Sequence, residues 1–473
     1  MKNTTINTKD TKVKTTKRSH VPWCPLCPLC PLWWMSVIAA CLLAIAAPSR
    51  ADAQTQPTSL RLTVEEAVQR GLDTSHRIAE AVARGDAADA VVGQRHAASL
   101  PQVAAQAGYT RTNHVDTFGV LLPNNQFRVI YPDIPDNYLT RLNVQWPIYT
   151  AGRVDALERA ARIEATASTD EVAAARADLT LDITRAYWAL VSAIESARVV
   201  QEAVGRIDAH LRDVRNQLTA GLIPPNDVLT VEAQRSRQRM LAIQAGAARD
   251  AAEADLARLV GASGGTAIEP VTPIETTARV PPPIDALVET ARRQRPERAA
   301  LVKRVNAAQQ RGVAAASGAR PTIAIGGGVD YARPNPRIFP RDDAWRSSWD
   351  ANVNVNWPLF DGGRTRHEMA EAAATARAVQ ERLADFDASL GAELRQRLSD
   401  VTSSRAAIEA ATDAVRSATE ARRVLGDRFA AGVATSTEVL DAQVALLQAE
   451  LDRTQAIATA RLAGARLARA LGQ

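Results

Sequence analysis

NVNWPLFDGGRTR, residues 354–366, reads as the end of a strand, a proline, a Gly-Gly turn and the start of a helix. Residues 143–155, NVQWPIYTAGRVD, say nearly the same thing 211 residues earlier: Trp146 matches Trp357, Pro147 matches Pro358 and Gly152 matches Gly363. The same offset lays LTAGLIPPNDVL (218–229) over FAAGVATSTEVL (429–440), pairing Gly221 with Gly432, Asp227 with Glu438 and Leu229 with Leu440. Upstream, ASLPQVAAQAG over GARPTIAIGGG pairs Pro101 with Pro321 at an offset of 220. The change in offset falls between the two strands of each half, where a surface loop can vary in length. The chain therefore reads as two tandem copies of one unit, each ordered helix, strand, loop, strand, long helix, turn, helix.

The long helix is the clearest element. Residues 153–220 contain no proline and one glycine, Gly205; residues 364–431 contain no proline and only Gly391 and Gly426. At ~1.5 Å per residue each would span roughly 100 Å. In the first copy Leu179, Ile183, Ala186, Leu190, Ala193, Ala197, Val200, Val204, Ile207, Leu211, Val214 and Leu218 recur at alternating steps of four and three, the seam of a coiled coil. Shifted by 211, the second copy keeps the pattern except at Arg397, Ser404 and Arg422.

The strands alternate. Trp349, Ala351, Val353, Val355 and Trp357 lie on one face against Asp350, Asn352, Asn354 and Asn356; Ile323, Ile325, Val329 and Tyr331 oppose Thr322, Ala324 and Asp330. In the first copy Leu142, Val144 and Trp146 oppose Arg141, Asn143 and Gln145, and Val103, Ala105, Ala107 and Tyr109 oppose Gln102, Gln106 and Thr110. A half-buried soluble sheet also alternates. Here aromatics bound the apolar faces, and the lengths fit a tilted transmembrane strand, which predicts membrane β-structure. Long polar or proline-rich loops, 110–137 and 332–348, join each pair. Four strands cannot close a barrel, and an open sheet edge is not tolerated in lipid. Two copies would supply eight strands with a filled interior; three would supply twelve with room for water.

Composition agrees with helices packed side by side: 46% of residues are hydrophobic but only 4% aromatic. Residues 1–53 hold seven of the 57 basic and two of the 52 acidic residues, so the remainder carries 50 of each and gives no argument for nucleic acid as a partner. That segment reads as an export signal. A basic region precedes MSVIAACLLAIAA (35–47), Pro48 follows, and Ala51-Asp52-Ala53 supplies a cleavage site after Ala53. A lipoprotein signal ending at Cys41 is the rival reading, weakened by the apolar run that continues past the cysteine. All four cysteines (Cys24, Cys27, Cys30, Cys41) lie upstream of Ala53, so the mature chain is expected to have no disulfide.

These motifs, in this order and spacing, resemble the TolC-like outer-membrane efflux protein family, and the similarity runs from about Leu60 to Leu471. The resemblance implies a fold that is mainly α with membrane β: two tandem helix-strand-strand-helix-helix repeats, with four strands per chain joining a trimeric 12-strand barrel. A long α-helical coiled-coil tunnel would continue that barrel through the periplasm. The expected boundaries are a signal peptide at 1–53, repeat 1 at 54–261, a Pro-rich linker at 262–283 and repeat 2 at 284–473. Repeat 1 holds strands at about 102–112 and 138–146 and a helix at about 153–220; repeat 2 holds strands at about 322–331 and 349–357 and a helix at about 364–431.

By the same resemblance, Trp146, Pro147, Gly152, Trp357, Pro358 and Gly363 form barrel-to-tunnel corners. There the proline ends the ladder, glycine permits the turn, and the tryptophans anchor at the membrane interface. Gly221, Leu222, Gly432 and Val433 match the tips that meet a periplasmic adaptor; read alone, Gly221 and Gly432 are helix C-caps. Asp227, Phe429, Glu438 and Asp441 match the closed aperture, where acids from three chains would repel anions and hold divalent cations. The other reading of those acids is stabilisation at a helix N-terminus. Ala434 stands where some relatives carry a basic gating residue.

The implied partners are two further copies of the chain, outer-membrane lipid, an adaptor protein and an inner-membrane transporter. The implied role is an exit path across periplasm and outer membrane, for efflux or type I secretion. A periplasmic adaptor or a structural coiled coil is the alternative. No catalytic or cofactor motif is present. GASGG (261–265) fits Gly-x-Ser-x-Gly only formally, following a helix rather than a strand. His76, His96, His114, His210 and His367 have no metal-ligand spacing, and there is no phosphate loop, so energy must come from a partner.

Overall fold

The computed structural model describes residues 59–263, 266–273 and 282–473. Residues 1–58, with the expected signal segment and its four cysteines, and residues 264–265 and 274–281 of the expected linker lie outside the described residues. In chain order the elements are β1 (Leu60–Leu62), α1 (Val64–Thr74), α2 (His76–Ala97), β2 (Gln102–Arg111), β3 (Phe118–Leu121), β4 (Phe127–Tyr131), β5 (Asp136–Tyr149), α3 (Arg153–Thr219) and α4 (Pro225–Leu259). They continue as β6 (Ile268–Pro270), α5 (Ile284–Gln294), α6 (Pro296–Ala316), β7 (Thr322–Arg333), β8 (Arg346–Asn356), α7 (Arg364–Ala430) and α8 (Ser436–Leu471).

Helices α3 and α7 are each 67 residues long, roughly 100 Å at ~1.5 Å per residue. On α3 the predicted seam faces inward: Leu179, Ile183, Ala186, Leu190, Val200, Val204, Ile207, Leu211 and Val214 are buried. On α7 the shifted positions Leu390, Leu394, Val401, Ser404 and Phe429 are buried and the others, Arg397 and Arg422 included, are half-buried. Ser404 satisfies its hydroxyl by donating to the Val401 carbonyl, 3.0 Å away, so a polar residue stays in the seam without an orphaned donor. The core is strung along the helices as separate clusters. One gathers Ile183, Tyr187 and Leu190 with Leu256 and Val260 of the α4 end; another joins Ile207, Leu211 and Val214 to Val228, Val231, Phe429, Val439 and Leu440.

Four strands form one antiparallel sheet in the order β2-β5-β7-β8. The register places Leu142 beside Ala105 and Val329, and Val329 beside Trp349, so the apolar residues share a face. That face is bare in the single chain: Val103 is 65% exposed and Trp349 75%. Strands β2 and β8 each have a neighbour on one side only.

Several features depart from the expectations. The helix opening each copy is broken, at Ser75 and at Arg295, 220 residues apart, with nearly equal angles (φ −74°, ψ 119° and φ −72°, ψ 116°). The causes differ. Ser75 accepts a hydrogen bond from the Arg77 amide (3.2 Å) and caps α2, whereas Arg295 precedes Pro296, which disfavours helical geometry. The supposed loop 110–137 contains the hairpin β3–β4, turned at Asn125 with φ 62°, a conformation asparagine tolerates. Strand β5 does not stop at Pro147: it pairs Pro147 with Ala324 and ends at Tyr149 after a bulge. Strand β2 begins at Gln102 opposite Gln145, so at Pro147 the strand has one neighbour, a setting in which proline is tolerated. Only the second copy ends as expected, with β8 stopping at Asn356.

Strand β1 pairs in parallel with β6, inside the stretch expected to be a plain linker. Tyr187 of α3 fastens this pair, donating to the Leu62 carbonyl (3.0 Å) and accepting from the Thr272 amide (3.0 Å) while fully buried. Tyr187→Phe keeps the ring but strands both backbone groups, and should cost about 1–3 kcal/mol in denaturant unfolding; a loss below the precision of the measurement would show that water replaces the hydroxyl.

Candidate functional site

Both strand-to-helix corners are built the same way. Gly152 and Gly363 cap α3 and α7 in the left-handed region, with φ 81° and 85°. The residue before them is Ala151 in one copy and Gly362 in the other, at φ 54° and 68°. An oxygen three residues before the first helical residue closes each turn. Thr150 Oγ1 accepts from the Val154 amide at 3.4 Å; Asp361 accepts from the Gly363 and Thr365 amides, both at 2.9 Å, and from the Thr365 hydroxyl at 2.5 Å. Each corner tryptophan ties the end of the second strand to the link that leads into the first. Trp146 Nε1 donates to the Ser99 carbonyl (3.1 Å) and Trp357 Nε1 to the Ala319 carbonyl (3.2 Å). Their ring faces stay exposed, beside Ile148 and Tyr149 in one corner and Leu359 and Phe360 in the other, while Pro147 and Pro358 are half-buried. An indole that satisfies its N–H and leaves its faces open suits a bilayer interface.

The polar face of the sheet carries charge near the end away from the corners. Arg141 of β5 donates from Nη1 to both carboxylate oxygens of Asp330 of β7 (2.8 and 2.9 Å) and from Nη2 to Asp350 Oδ1 of β8 (2.9 Å). Gly328 makes room for it: a Cβ there would stand 2.8 Å from Arg141 Nη2.

At the other extremity the two helical turns are equivalent. Gly221 and Gly432 donate to the Leu218 and Phe429 carbonyls (2.9 and 3.0 Å), and Leu222 and Val433 to the Gln217 and Arg428 carbonyls (2.9 and 2.8 Å). This is the paired bond pattern of the Schellman cap. The apolar residue just beyond such a cap commonly folds back onto its helix; Leu222 and Val433 instead stand 73% and 65% exposed.

The proposed aperture residues occupy distinct settings. Phe429 is buried in the tip cluster, its ring 5.1 Å from that of His210. Buried His210 in turn meets Ser436 Oγ at 3.0 Å. Glu438 forms a capping box with Thr435, its carboxylate accepting from the Thr435 amide (2.7 Å) and hydroxyl (2.9 Å). Those bonds, the amide first, hold its pKa below the ordinary value. Asp441 is exposed in a groove between α4 and α8 that Asn226, Leu229 and Thr437 also line. Asp227, half-buried in the first turn of α4, accepts from Asn226 Nδ2 (3.1 Å).

The sequence left three of these devices unread: the tryptophan bonds, the carboxylate cap and the charge cluster. The Asp in WPLFDGGR, just ahead of Gly-Gly and a helix, was the available signal for the cap.

A four-stranded sheet with a bare apolar face, set on paired helices roughly 100 Å long, defines a class: outer-membrane channel proteins. The chain matches the outer membrane efflux protein family over residues 67–262 and 287–473, and belongs to that family. It is 25% identical to Protein CyaE of Bordetella pertussis over 399 residues, covering 81% of this chain and 78% of that protein. It is 24% identical to outer membrane protein TolC of Vibrio cholerae over 395 residues, 83% and 86% of the two chains. Among solved structures the fold is shared with CusC (TM-score 0.74, 17% identity, 89% and 95% of the two chains covered). It is also shared with VceC from Vibrio cholerae (TM-score 0.72, 20% identity, 86% and 96% covered). The protein is thus placed in the outer membrane, in a family of channels rather than enzymes.

Two measurements probe the corners. The Thr365 hydroxyl, followed by the Thr365 and Gly363 amides, lowers the Asp361 pKa from 3.8 to about 2. A folded value below the unfolded one means that this stabilisation is complete above pH 3.8 and is lost as the pH falls toward 2. Asp361→Asn should therefore flatten the acid limb of the thermal midpoint in that window; an unchanged limb would remove the cap from the corner. Nothing lies within 4 Å of a Cβ added at Gly152 or at mid-helix Gly205, so backbone conformation alone sets their signs. Gly152→Ala is expected to destabilise by about 1–2 kcal/mol and Gly205→Ala to stabilise by about 0.5–1 kcal/mol in the same unfolding assay.

Proposed function

We propose that three copies of this chain assemble into an outer-membrane channel-tunnel. Each would contribute four strands to a twelve-stranded barrel, and the helices would continue it as a tunnel across the periplasm. Two tandem repeats, 54–261 and 284–473 with a linker at 262–283, would build each third. One observation carries this reading. The sheet has two unpaired edges, β2 and β8, and an exposed apolar face, and lipid accepts that face only when the edges are closed by another sheet. Twelve strands leave a lumen, which the polar face with its Asn and Asp residues would line; eight would fill it with side chains.

The channel would give substrates delivered by an inner-membrane transporter and a periplasmic adaptor their way out, in efflux or type I secretion. The tips support an adaptor as partner. Leu222 and Val433 are apolar and exposed on hydrogen-bonded caps, the setting of residues that enter a partner's groove. Glu438 and Asp441, with Asp227 near them, would ring the periplasmic mouth as threefold carboxylates, and Phe429 would brace that ring from within the tip. A periplasmic adaptor or a structural coiled coil would be recovered in the soluble periplasm, whereas this protein is expected in the outer-membrane fraction.

Purified protein in planar bilayers should give cation-preferring channels blocked by divalent ions. Glu438→Gln with Asp441→Asn should weaken both properties. Recordings unchanged by the double substitution would take the carboxylates out of the aperture.

A further inference from the structure

The segment between β7 and β8, residues 334–345, does not stand clear of the sheet. Its base is fixed on both sides. Trp345 stacks on Tyr331 with ring centroids 5.0 Å apart, and the Tyr138 ring is 5.7 Å away; both tyrosines belong to the apolar face. Asn335 goes to the other face. It is 1% exposed, its Nδ2 donates to the Arg346 carbonyl and to Ser348 Oγ (both 3.0 Å), and its Oδ1 accepts from the Arg337 amide (2.9 Å). Ser348 sits opposite Asp330 in the register, so the segment crosses the end of the sheet and turns onto the polar side.

Arg337 then reaches along that side. Its Nη2 donates to Asp350 Oδ1 (2.7 Å) and its Nε lies 3.6 Å from Asp330 Oδ2. Arg141 already holds both carboxylates from β5, so the cluster balances two guanidinium groups against two carboxylates. Asp330, with its side chain 6% exposed, is paired with Arg141 and lies within ion-pair reach of Arg337; burial of an unpaired carboxylate would be costly. Arg141 brings one positive charge to two carboxylates, so Arg337 supplies the second, and its reach also holds the loop against the sheet. Its own side chain is 39% exposed, open to water on the polar side.

We infer that residues 334–345 form a strap pinned by Arg337 across the outer mouth of the pore, narrowing it and cancelling the charge of Asp330 and Asp350. This rests on the reading of the polar face as the lumen. Three straps would make a second constriction, at the end of the molecule opposite the carboxylates of the tips. Charges in a narrow aqueous path govern which ions pass, so the pin acts on both width and selectivity.

The test uses full-length protein in planar bilayers under a salt gradient. Arg337→Gln releases the strap and uncovers the acids, so conductance should rise and the reversal potential should move toward cation preference. Asp350→Asn releases the same bond from the other side, so conductance should rise while the reversal potential moves toward anions. Arg337→Lys, which retains the cation, should stay nearer the wild type than Arg337→Gln. Should Arg337→Gln fail to assemble, Asp350→Asn carries the same prediction. Opposite selectivity shifts without a rise in conductance would leave Arg337 a mere lumenal charge and overturn the strap, as would wild-type behaviour of both variants. Absence of channels from the unsubstituted protein would instead overturn the channel reading beneath it.

Discussion

An unpaired strand edge cannot sit in hydrocarbon. Each backbone N–H and C=O left without a partner there costs several kcal/mol, and among the described residues the sheet has two such edges, β2 and β8, bordering a largely exposed apolar face. The chain cannot satisfy that demand alone. Its long helices repeat the theme more mildly: α3 buries most of its seam within the chain, whereas α7 leaves much of its own half-covered. Sheet and helices alike leave surfaces that the proposed trimer would cover.

The corners are where the two kinds of surface must be joined without strain. A strand entering a helix has to redirect the chain within a few residues while keeping its last polar groups satisfied. Two residues in the left-handed region make the turn, an oxygen side chain closes it, and an indole bridges to the link that leads into the copy's first strand. The copies solve the problem with different residues, Thr150 and Ala151 against Asp361 and Gly362. A shared geometry reached through different side chains locates the constraint in the backbone.

Much of this was legible in the sequence because periodicity and duplication are strong signals. The seam of α3, the alternation of the four strands and the Trp-Pro corners follow from residue spacing. What escaped depends on partners distant in the chain or on local chemistry that spacing does not encode. Tyr187 binds Leu62 and Thr272, 125 and 85 residues away. The break at Arg295 was signalled by Pro296, but its twin at Ser75 lacks a proline, and only the cap explains it. Pro147 misled because proline ends a strand only where its missing N–H faces a neighbour. Among the residues proposed for the aperture, spacing placed Glu438 at a helix start; that its carboxylate accepts from Thr435 in a capping box is a matter of three dimensions.

The central claim is that the open edges are closed by two further copies. The mass of the detergent-extracted protein, with bound detergent subtracted by light scattering or analytical ultracentrifugation, tests it most directly. The account predicts three chains per particle; a particle of one chain, or of two, would contradict it.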